Sequence, residues 1–315
     1  MNPNTLHEKQ KKQMRSLYYA ALILLLPIST AFYFISTQQE EEINHDDSFL
    51  YETMSQKSIS LQDTQTEGYA VFVLDLNTEK ILYEKNSDIL LPLASITKLV
   101  TAKVAEDFID SPVISISKMK DFPQYGDMIL YEGQKWNTKD LITYTLLTSS
   151  NDGAHSLLTN TGPDFSFFTQ KMNQVAASAG LVETYFYNET GLDNDDEGIP
   201  GSKGTAKEVA YLLEYLLEED FELFEKTRYT ETTIQTPQGT QIAQNTNILA
   251  NQIIGLMLSK TGYTDLAGGN LAIIADMGLN DPVAFVVLRS SRESRFRDIL
   301  QLQEEYFAQV RESLR

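Results

Sequence analysis

The 315-residue chain contains no cysteine, which excludes disulfides, iron–sulfur clusters and a cysteine nucleophile. It has only three histidines, His7, His45 and His155, and they lie in different parts of the sequence. A zinc site built from histidines is therefore not expected, and a Ser-His-Asp triad would depend on His155 alone. We expect no cofactor, no metal, and a surface or packing role for His155.

Basic residues are scarce: 25 Lys and Arg stand against 44 Asp and Glu, for a net charge of −19. A surface of this sign repels phosphate backbones, so nucleic acid is not an expected partner. The 42% hydrophobic and 22% charged residues are typical of a globular protein and exclude wholesale disorder.

One long hydrophobic run interrupts the polar N-terminal part. Residues 17–36 carry no charge, and 20 apolar residues are enough to cross a bilayer as a helix. Four basic residues in 1–16 precede the run and three glutamates at 40–42 follow it. The positive-inside rule predicts a cytoplasmic tail (1–16) and a single transmembrane signal-anchor (17–36), with the rest outside. A cleaved signal peptide is the alternative, although no A-x-A cleavage site follows.

The next segment, 37–66, holds seven acidic residues and one lysine among many Gln, Ser and Thr. Such a composition buries little apolar surface and predicts an acidic flexible linker. The folded domain is expected at 67–315.

Hydrophobic patterns in 67–315 predict strands at both ends and helices between them. The strands are expected at 69–76, 80–84, 229–236, 253–259, 270–276 and 283–289, and the helices at 95–109, 138–147, 152–160, 164–179, 205–217 and 292–313. Sequence-distant strands then close one sheet. We predict an α+β fold with an antiparallel sheet flanked by helices: a sheet lobe (67–92 and 225–315), an inserted all-helical lobe (93–224), and a cleft between them.

Three motifs carry candidate chemistry, and the first is S-x-x-K. Ser95 and Lys98 begin the predicted helix 95–109, which is apolar nearly all round. Positions i and i+3 share a helix face, so a buried lysine can take the proton of the serine hydroxyl. Ser115/Lys118 and Ser117/Lys120 also match, but they lie in a strand-like stretch where i and i+3 point apart.

The second motif is Ser149-Ser150-Asn151, in a turn between two helices. Taken alone, it favours a polar helix N-cap, and the functional alternative is a hydroxyl and an amide that face the cleft. The third is Lys260-Thr261-Gly262, at the end of a predicted strand. Gly262 leaves room for a substrate backbone, while Lys260 and Thr261 offer a cation and a hydroxyl to a carboxylate.

Together the motifs resemble those of the D-alanyl-D-alanine carboxypeptidases of serine peptidase family S11, penicillin-binding proteins of the β-lactamase/transpeptidase-like superfamily. The resemblance spans about residues 67–310 and includes VFVLDLNTEKILYEKNSDILLPLASITKLVTA, LITYTLLTSSNDGA, NETGLD, GTAKEVAYLLEYLL, NTNILA and KTGYTDLAGGNLAIIA. It implies a serine peptidase acting on peptidoglycan stem peptides that end in D-Ala-D-Ala, with β-lactams as covalent inhibitors. The implied location is the outer face of a bacterial cell membrane, and the oligomeric state stays open.

The resemblance also implies residue roles. Ser95 is the acylated nucleophile, Lys98 its general base, and Ser149 a proton relay to the leaving amine. The substrate-binding residues are Asn151 for a peptide carbonyl, Lys260, Thr261 and Gly262 for the terminal carboxylate, and Tyr263, whose backbone N–H forms the oxyanion hole with that of Ser95.

Three other functions remain open from the residues. The chain could be a D,D-endopeptidase that cuts cross-links. It could be a class A-like β-lactamase, with Glu189 activating the deacylating water. A membrane-tethered, non-catalytic cell-wall binding module is the non-enzymatic alternative.

Overall fold

The computed structural model describes residues 59–120, 128–194, 198–278 and 280–313. Residues 59–309 form one compact unit; of the second unit, 1–58 and 310–315, only residues 310–313 are described, as the end of the C-terminal helix. The predicted cytoplasmic tail (1–16), membrane segment (17–36) and most of the predicted linker lie outside the described residues. Within the described ranges, no helix is both long and apolar enough to span a membrane.

In chain order, the described strands are β1 (Ala70–Asp75), β2 (Lys80–Lys85), β3 (Leu91–Pro92), β4 (Val113–Ser115), β5 (Lys135–Asn137), β6 (Tyr185–Phe186), β7 (Ser202–Gly204), β8 (Glu231–Thr236), β9 (Gly239–Gln244), β10 (Leu256–Thr264), β11 (Gly268–Asp276) and β12 (Pro282–Ser290). The described α-helices are α1 (Lys98–Phe108), α2 (Thr138–Thr148), α3 (Asn151–Thr161), α4 (Phe165–Ser178), α5 (Ala206–Phe224) and α6 (Ser294–Ser313).

The main sheet has five antiparallel strands in the order β10-β11-β12-β1-β2. The first hairpin of the domain therefore joins the last three strands, with Phe72 of β1 opposite Val286 of β12. Both faces of β1 are buried: Phe72 belongs to the main hydrophobic core, and Val71 and Val73, which point to the other face, are also inaccessible to solvent. Burial on both faces explains why β1 is a continuous apolar run.

Helix α1 is the central buried helix that the sequence predicts. Residues 98–105 are all buried, and α2, α3, α4 and α5 pack around them. The helix is preceded by a 3₁₀ turn, Ala94–Thr97, so its first α-helical residue is Lys98 rather than Ser95.

The inserted region was predicted to be all-helical, and this prediction is wrong. It contains a two-stranded ladder of β4 with β5, and β6 and β7 pair in the three-stranded order β3-β7-β6. Strands of two or three residues are too short to show a period in sequence. Helix α5, assigned to the helical lobe from sequence, packs against β1 and β12 of the main sheet.

The predicted linker ends too late, because residues 59–66 already belong to the folded unit. Leu61 is fully buried, and its backbone N–H donates to Leu82 O of β2 at 2.8 Å. Lys80 Nζ donates to Ile59 O (2.8 Å), and Thr66 Oγ1 lies 3.1 Å from Tyr83 Oη. One buried leucine and a row of hydrogen bonds to β2 are enough to hold a segment of polar composition.

Candidate active site

The S-x-x-K motif places a hydroxyl and an amine in direct contact. Ser95 lies in the 3₁₀ turn and Lys98 is the first residue of α1, so one turn separates them. Lys98 Nζ donates hydrogen bonds to Ser95 Oγ (2.8 Å), Asn151 Oδ1 (2.8 Å) and Thr190 O (2.6 Å). The amine is thus held by three acceptors from three parts of the chain.

The Lys98 side chain is completely buried. Burial disfavours its charged form and lowers the pKa of Lys98 to about 7, while the Glu189 carboxylate acts in the opposite direction. An amine with this pKa is present in both protonation states near neutral pH. Lys98 is therefore equipped to take a proton from Ser95.

Two glycines allow the nucleophile turn to be enclosed on both sides. A β-carbon on Gly191, which has φ +77°, would overlap the carbonyl oxygen of Ala94. A β-carbon on Gly262 of β10 would come within 2.7 Å of Leu93 O and 3.2 Å of Ser95 N. The glycine of K-T-G is thus required by the close approach of its strand to the turn that carries Ser95.

The Ser-Ser-Asn motif has both of the roles considered from sequence, divided among its residues. Ser150 is the N-cap of α3, and its Oγ accepts a hydrogen bond from Gly153 N (2.9 Å). Ser149 takes the left-handed conformation (φ +60°) between α2 and α3, and with Asn151 it lines the cleft. Within the described residues, the Ser149 hydroxyl makes no hydrogen bond.

The K-T-G motif lies on β10, which is an edge strand of the main sheet. Lys260 is buried, with 1% of its surface exposed, and its Nζ donates to Thr261 O (3.1 Å). The Thr261 hydroxyl donates to Thr246 Oγ1 (2.6 Å), and both threonines line the cleft.

Burial is the main cause of the lowered pKa of both lysines. The pKa of Lys260 is held well below its usual range by burial, then by repulsion from Lys98 and Arg295. Three buried basic side chains, those of Lys98, Lys260 and Arg295, therefore lie near the cleft in a protein of strongly negative net charge.

Arg292 and Arg295 are cleft residues that the sequence analysis missed. Arg295 is buried, and its Nη1 donates to Gly262 O at 2.6 Å; burial, together with repulsion by Arg292, lowers its pKa to about 10. The Arg292 guanidinium lies 3.9 Å from the centroid of the Tyr263 ring. Both arginines belong to a charged run that follows β12. Because β12 pairs with β11 and β11 pairs with β10, this run lies near K-T-G. The strand pairing was the signal that could have identified the two arginines as cleft residues.

Six of the eight residues given catalytic or substrate-binding roles from sequence line one cleft of about 590 Å³, and the other two, Lys98 and Lys260, are buried and each donate a hydrogen bond to a residue that lines it. The cleft is lined by Ser95, Ser149, Asn151, Thr261, Gly262 and Tyr263. Lys98 is buried beneath it through its bond to Ser95. The arrangement joins a nucleophile, a base and a cationic region, as acyl transfer to a serine requires.

The other two S-x-x-K pairs do not form, as predicted. Ser115 Oγ donates weakly to Gly133 O (3.4 Å), whereas Lys118 pairs with the buried Asp152 at 3.1 Å. The Ser117 backbone N–H donates to Ser156 Oγ (2.9 Å).

Glu189 and His155 lie in a second cavity of about 720 Å³, which shares Leu192 and Asp193 with the cleft. His155 Nδ1 is 2.8 Å from Glu189 Oε1. Glu189, the candidate deacylating carboxylate of the β-lactamase hypothesis, is therefore engaged by a histidine, and it is not among the residues that line the cleft with Ser95. Across the described residues, no three His, Asp or Glu side chains form a group that could hold a metal ion.

Comparison with known proteins gives three findings. The chain matches peptidase family S11, described as D-alanyl-D-alanine carboxypeptidase, over residues 55–292. It is 31% identical over 229 residues to the D-alanyl-D-alanine endopeptidase of Escherichia coli K12, covering 70% of each chain. It is 27% identical to the D-alanyl-D-alanine carboxypeptidase DacF of Bacillus subtilis, covering 77% of this chain and 63% of that relative.

Among solved structures, penicillin-binding protein D2 of Listeria monocytogenes in its cefotaxime-bound form is similar. The TM-score is 0.69 with 28% identity, over 78% of this chain and 99% of that one. The expected penicillin-binding, transpeptidase-like fold of helices and antiparallel sheet is thereby confirmed. Because the family match covers the three motifs and most of the chain, this protein is a member of peptidase family S11, the D-alanyl-D-alanine carboxypeptidases.

Proposed function

We propose that the protein is a serine D-Ala-D-Ala peptidase, and in the first place a carboxypeptidase, that acts through an acyl-enzyme at Ser95. The observation that carries this proposal is the 2.8 Å contact between Ser95 Oγ and a fully buried lysine amine with a pKa of about 7. Family membership supports the same reaction class.

In the acylation step, Ser95 Oγ attacks the carbonyl carbon of the penultimate D-Ala while its proton passes to neutral Lys98. The C–N bond to the terminal D-Ala then breaks, and Ser149 relays the proton from Lys98 to the leaving amine. Water next attacks the ester; one of its protons returns through Lys98 to Ser95 Oγ, and its oxygen remains in the shortened peptide. The backbone N–H groups of Ser95 and Tyr263 are assigned to the developing oxyanion.

Substrate binding is assigned to the two sides of the cleft. The Asn151 amide is expected to hold a peptide carbonyl of the acyl part. The terminal carboxylate is expected near Thr261 and Gly262, where Lys260 and Arg295 supply positive charge. Charge-assisted hydrogen bonds of this kind are about twice as strong as neutral ones.

Labelling with a fluorescent penicillin tests the proposal. Wild-type protein should form a covalent adduct that maps to Ser95, and Ser95→Ala should abolish it without loss of fold. Ser115→Ala, which alters a serine of a pair that does not form, should label normally. Absence of label from a folded wild-type protein would favour the non-catalytic wall-binding module, and a label on another serine would refute the assignment.

A D,D-endopeptidase is the second candidate function. The relative from Escherichia coli described above is named an endopeptidase, and the chain matches 70% of it. The lining of the cleft also includes Tyr263, Asp265 and Arg292 beyond Gly262, and these residues are where we expect a leaving group larger than alanine to lie. Release of D-Ala from a pentapeptide, compared with cleavage of a D-Ala cross-linked peptide dimer, decides between the two activities.

A β-lactamase is the weaker alternative, because the Glu189 carboxylate is held by His155 in the second cavity. We expect penicillin to acylate the protein in a burst and the acyl-enzyme to be hydrolysed only slowly. Rapid multiple turnover that is lost in Glu189→Gln would instead assign the protein to the β-lactamases.

We further propose that residues 17–36 anchor the domain, N-terminus inside, to the outer face of a bacterial membrane, with the acidic segment 37–58 as spacer. The support is sequence: an uncharged 20-residue run with a basic flank on one side and acidic residues on the other. N-terminal sequencing of the membrane-bound protein tests the anchor, because a mature N-terminus within 32–45 would indicate a cleaved signal. Protease added outside spheroplasts should digest the domain, and protection would refute this orientation.

A further inference from the structure

His155, which is partly exposed, and the buried Glu189 form a pair that the reaction outlined above does not use. His155 Nδ1 and Glu189 Oε1 are 2.8 Å apart, and Glu189 is only 4% exposed. The two residues are 34 positions apart in sequence, and they belong to α3 and to the loop between β6 and β7. Their bond therefore joins two separate parts of the fold.

Each of these two parts also provides a hydrogen-bond acceptor for the amine of Lys98. Asn151, whose Oδ1 accepts from Lys98 Nζ, lies on α3 one helical turn before His155. Thr190, whose carbonyl also accepts from Lys98 Nζ, follows Glu189 directly. The His155–Glu189 bond thus links α3 to this loop and fixes Asn151 and Thr190, two acceptors of Lys98, relative to each other.

The loop that carries Glu189 and Thr190 is also held by hydrogen bonds other than the one to His155. Thr101 Oγ1 of α1 donates to Glu189 O at 2.6 Å. Asn188 Oδ1 accepts from Thr190 N (3.1 Å) and Gly191 N (2.7 Å). Because the loop backbone is held in this way, the Glu189 side chain has a defined position, and its charge acts on Lys98 from a fixed place.

The charges around the pair are mixed. The hydrogen bond with Glu189 raises the pKa of His155, and the carboxylates of Asp152 and Glu132 act in the same direction. Asp152 is itself paired with Lys118, and Lys120 lies on the same cavity. Glu189 in turn raises the pKa of Lys98 against the effect of burial.

We propose that His155 and Glu189 are positioning residues of the acylation reaction: their bond aligns Asn151 and Thr190 around Lys98, and their charges act on its amine. This inference rests on the proposed function of Lys98.

The two charges of the pair act in opposite directions. Protonated His155 neutralises the field of Glu189, so loss of the histidine charge leaves Lys98 facing a full negative charge and raises its pKa. Loss of the glutamate charge lowers the pKa of Lys98. A single unit charge at close range in a partly buried site is worth about half a pKa unit or more.

The experiment compares wild type with His155→Gln, His155→Ala and Glu189→Gln. Rates of acylation by a fluorescent penicillin are measured from pH 5.5 to 9, and Lys98 is titrated by NMR of ¹³C-labelled lysine, its signal assigned by its absence in Lys98→Met. In Glu189→Gln the midpoint of both curves should fall by about half a unit or more, and in His155→Gln it should rise by a similar amount. His155→Ala should share that rise and also lose rate, since glutamine keeps a hydrogen-bond donor for Glu189 and alanine does not.

Glu132→Gln is the matched control. It removes a carboxylate that lines the same cavity and acts on His155 only as the weakest of its charged neighbours, so its midpoint should shift much less than that of Glu189→Gln. Midpoints that do not move in opposite directions, or a Glu132→Gln shift as large as that of Glu189→Gln, would overturn the inference. A wild-type protein that is not acylated would overturn the proposed function instead, and the NMR titration would still report on the pair.

Discussion

Gly262 lies directly against the turn that carries Ser95: a β-carbon on Gly262 would come within 3.2 Å of Ser95 N. The contact joins an edge strand of the sheet to the 3₁₀ turn before α1, across 167 positions of sequence. It brings the proposed carboxylate-binding side of the cleft to the proposed nucleophile, and it accounts for a glycine in the third position of K-T-G.

Gly262→Ala should therefore remove activity through geometry alone. The new methyl group must push β10 away from Leu93 and Ser95, which moves the Tyr263 N–H away from the oxyanion. Loss of one oxyanion donor costs about 10²–10³-fold in rate. The rate of acylation by a penicillin measures the loss, and Gly162→Ala, which crowds only the Phe167 ring, is the control. Equal losses in the two variants would contradict a specific effect on the oxyanion site.

Acylation should depend on pH through Lys98. Because only the neutral amine accepts a proton, and the pKa of Lys98 is lowered to about 7, the rate should rise with pH up to this value. Below it, the neutral fraction and the rate should fall about tenfold for each pH unit. Stopped-flow acylation with a β-lactam that does not titrate in this range tests the prediction. A rate that is constant between pH 5.5 and 7 would exclude Lys98 as the base.

Lys260→Met should distinguish ligands by their carboxylate. The buried cation is expected to strengthen the binding of the terminal carboxylate, and a hydrogen bond to a charged group is worth about 1.5–3 kcal/mol. Turnover of a D-Ala-D-Ala peptide should therefore fall by roughly tenfold or more. Turnover of its C-terminal amide should change much less. If both substrates lose the same factor, Lys260 acts on the reaction step and not on the carboxylate.

Ser149 and Ser150 should have opposite mutational effects although they are neighbours. Ser149→Ala removes a hydroxyl without a hydrogen-bond partner in the described structure, so the melting temperature should hardly change. If Ser149 relays protons, acylation should fall by about 10²-fold or more. Ser150→Ala removes the N-cap of α3 at a cost of about 1 kcal/mol, or about 2–4 °C in a domain of this size. Its acylation rate should be retained, and the reverse pattern would contradict both assignments.

Local patterns in the sequence were sufficient to locate the three motifs and most of the helices and strands. Ser95 and Lys98 are one turn apart, so their contact follows from the continuous 3₁₀ turn and helix that the sequence predicts here as one helix. The hairpin of β1 and β2, the central helix α1 and the edge strand with K-T-G were all recognisable from apolar periodicity. Elements of two or three residues, such as β4 and β6, were not, because so short a strand has no period.

Contacts between distant segments could not be derived from such patterns. Nothing local indicates that Lys98 has Thr190 as a third acceptor, that Arg295 donates to Gly262, or that His155 bonds Glu189. The same holds for residues 59–66, whose polar composition predicts a linker although hydrogen bonds to β2 hold them in place.

By itself, the sequence determined which groups are available: a serine with a lysine one turn away, a Ser-Ser-Asn turn, a K-T-G strand and an uncharged N-terminal run. Only the tertiary structure decided how these groups behave, because the pKa of a lysine depends on its burial and on the charges packed around it. Ser95/Lys98 and Ser115/Lys118 have the same spacing, but Lys98 is enclosed at the centre of the fold and Lys118 pairs with Asp152 at the rim of a cavity. Folding thus buries one lysine beside a serine hydroxyl and pairs the other with a carboxylate.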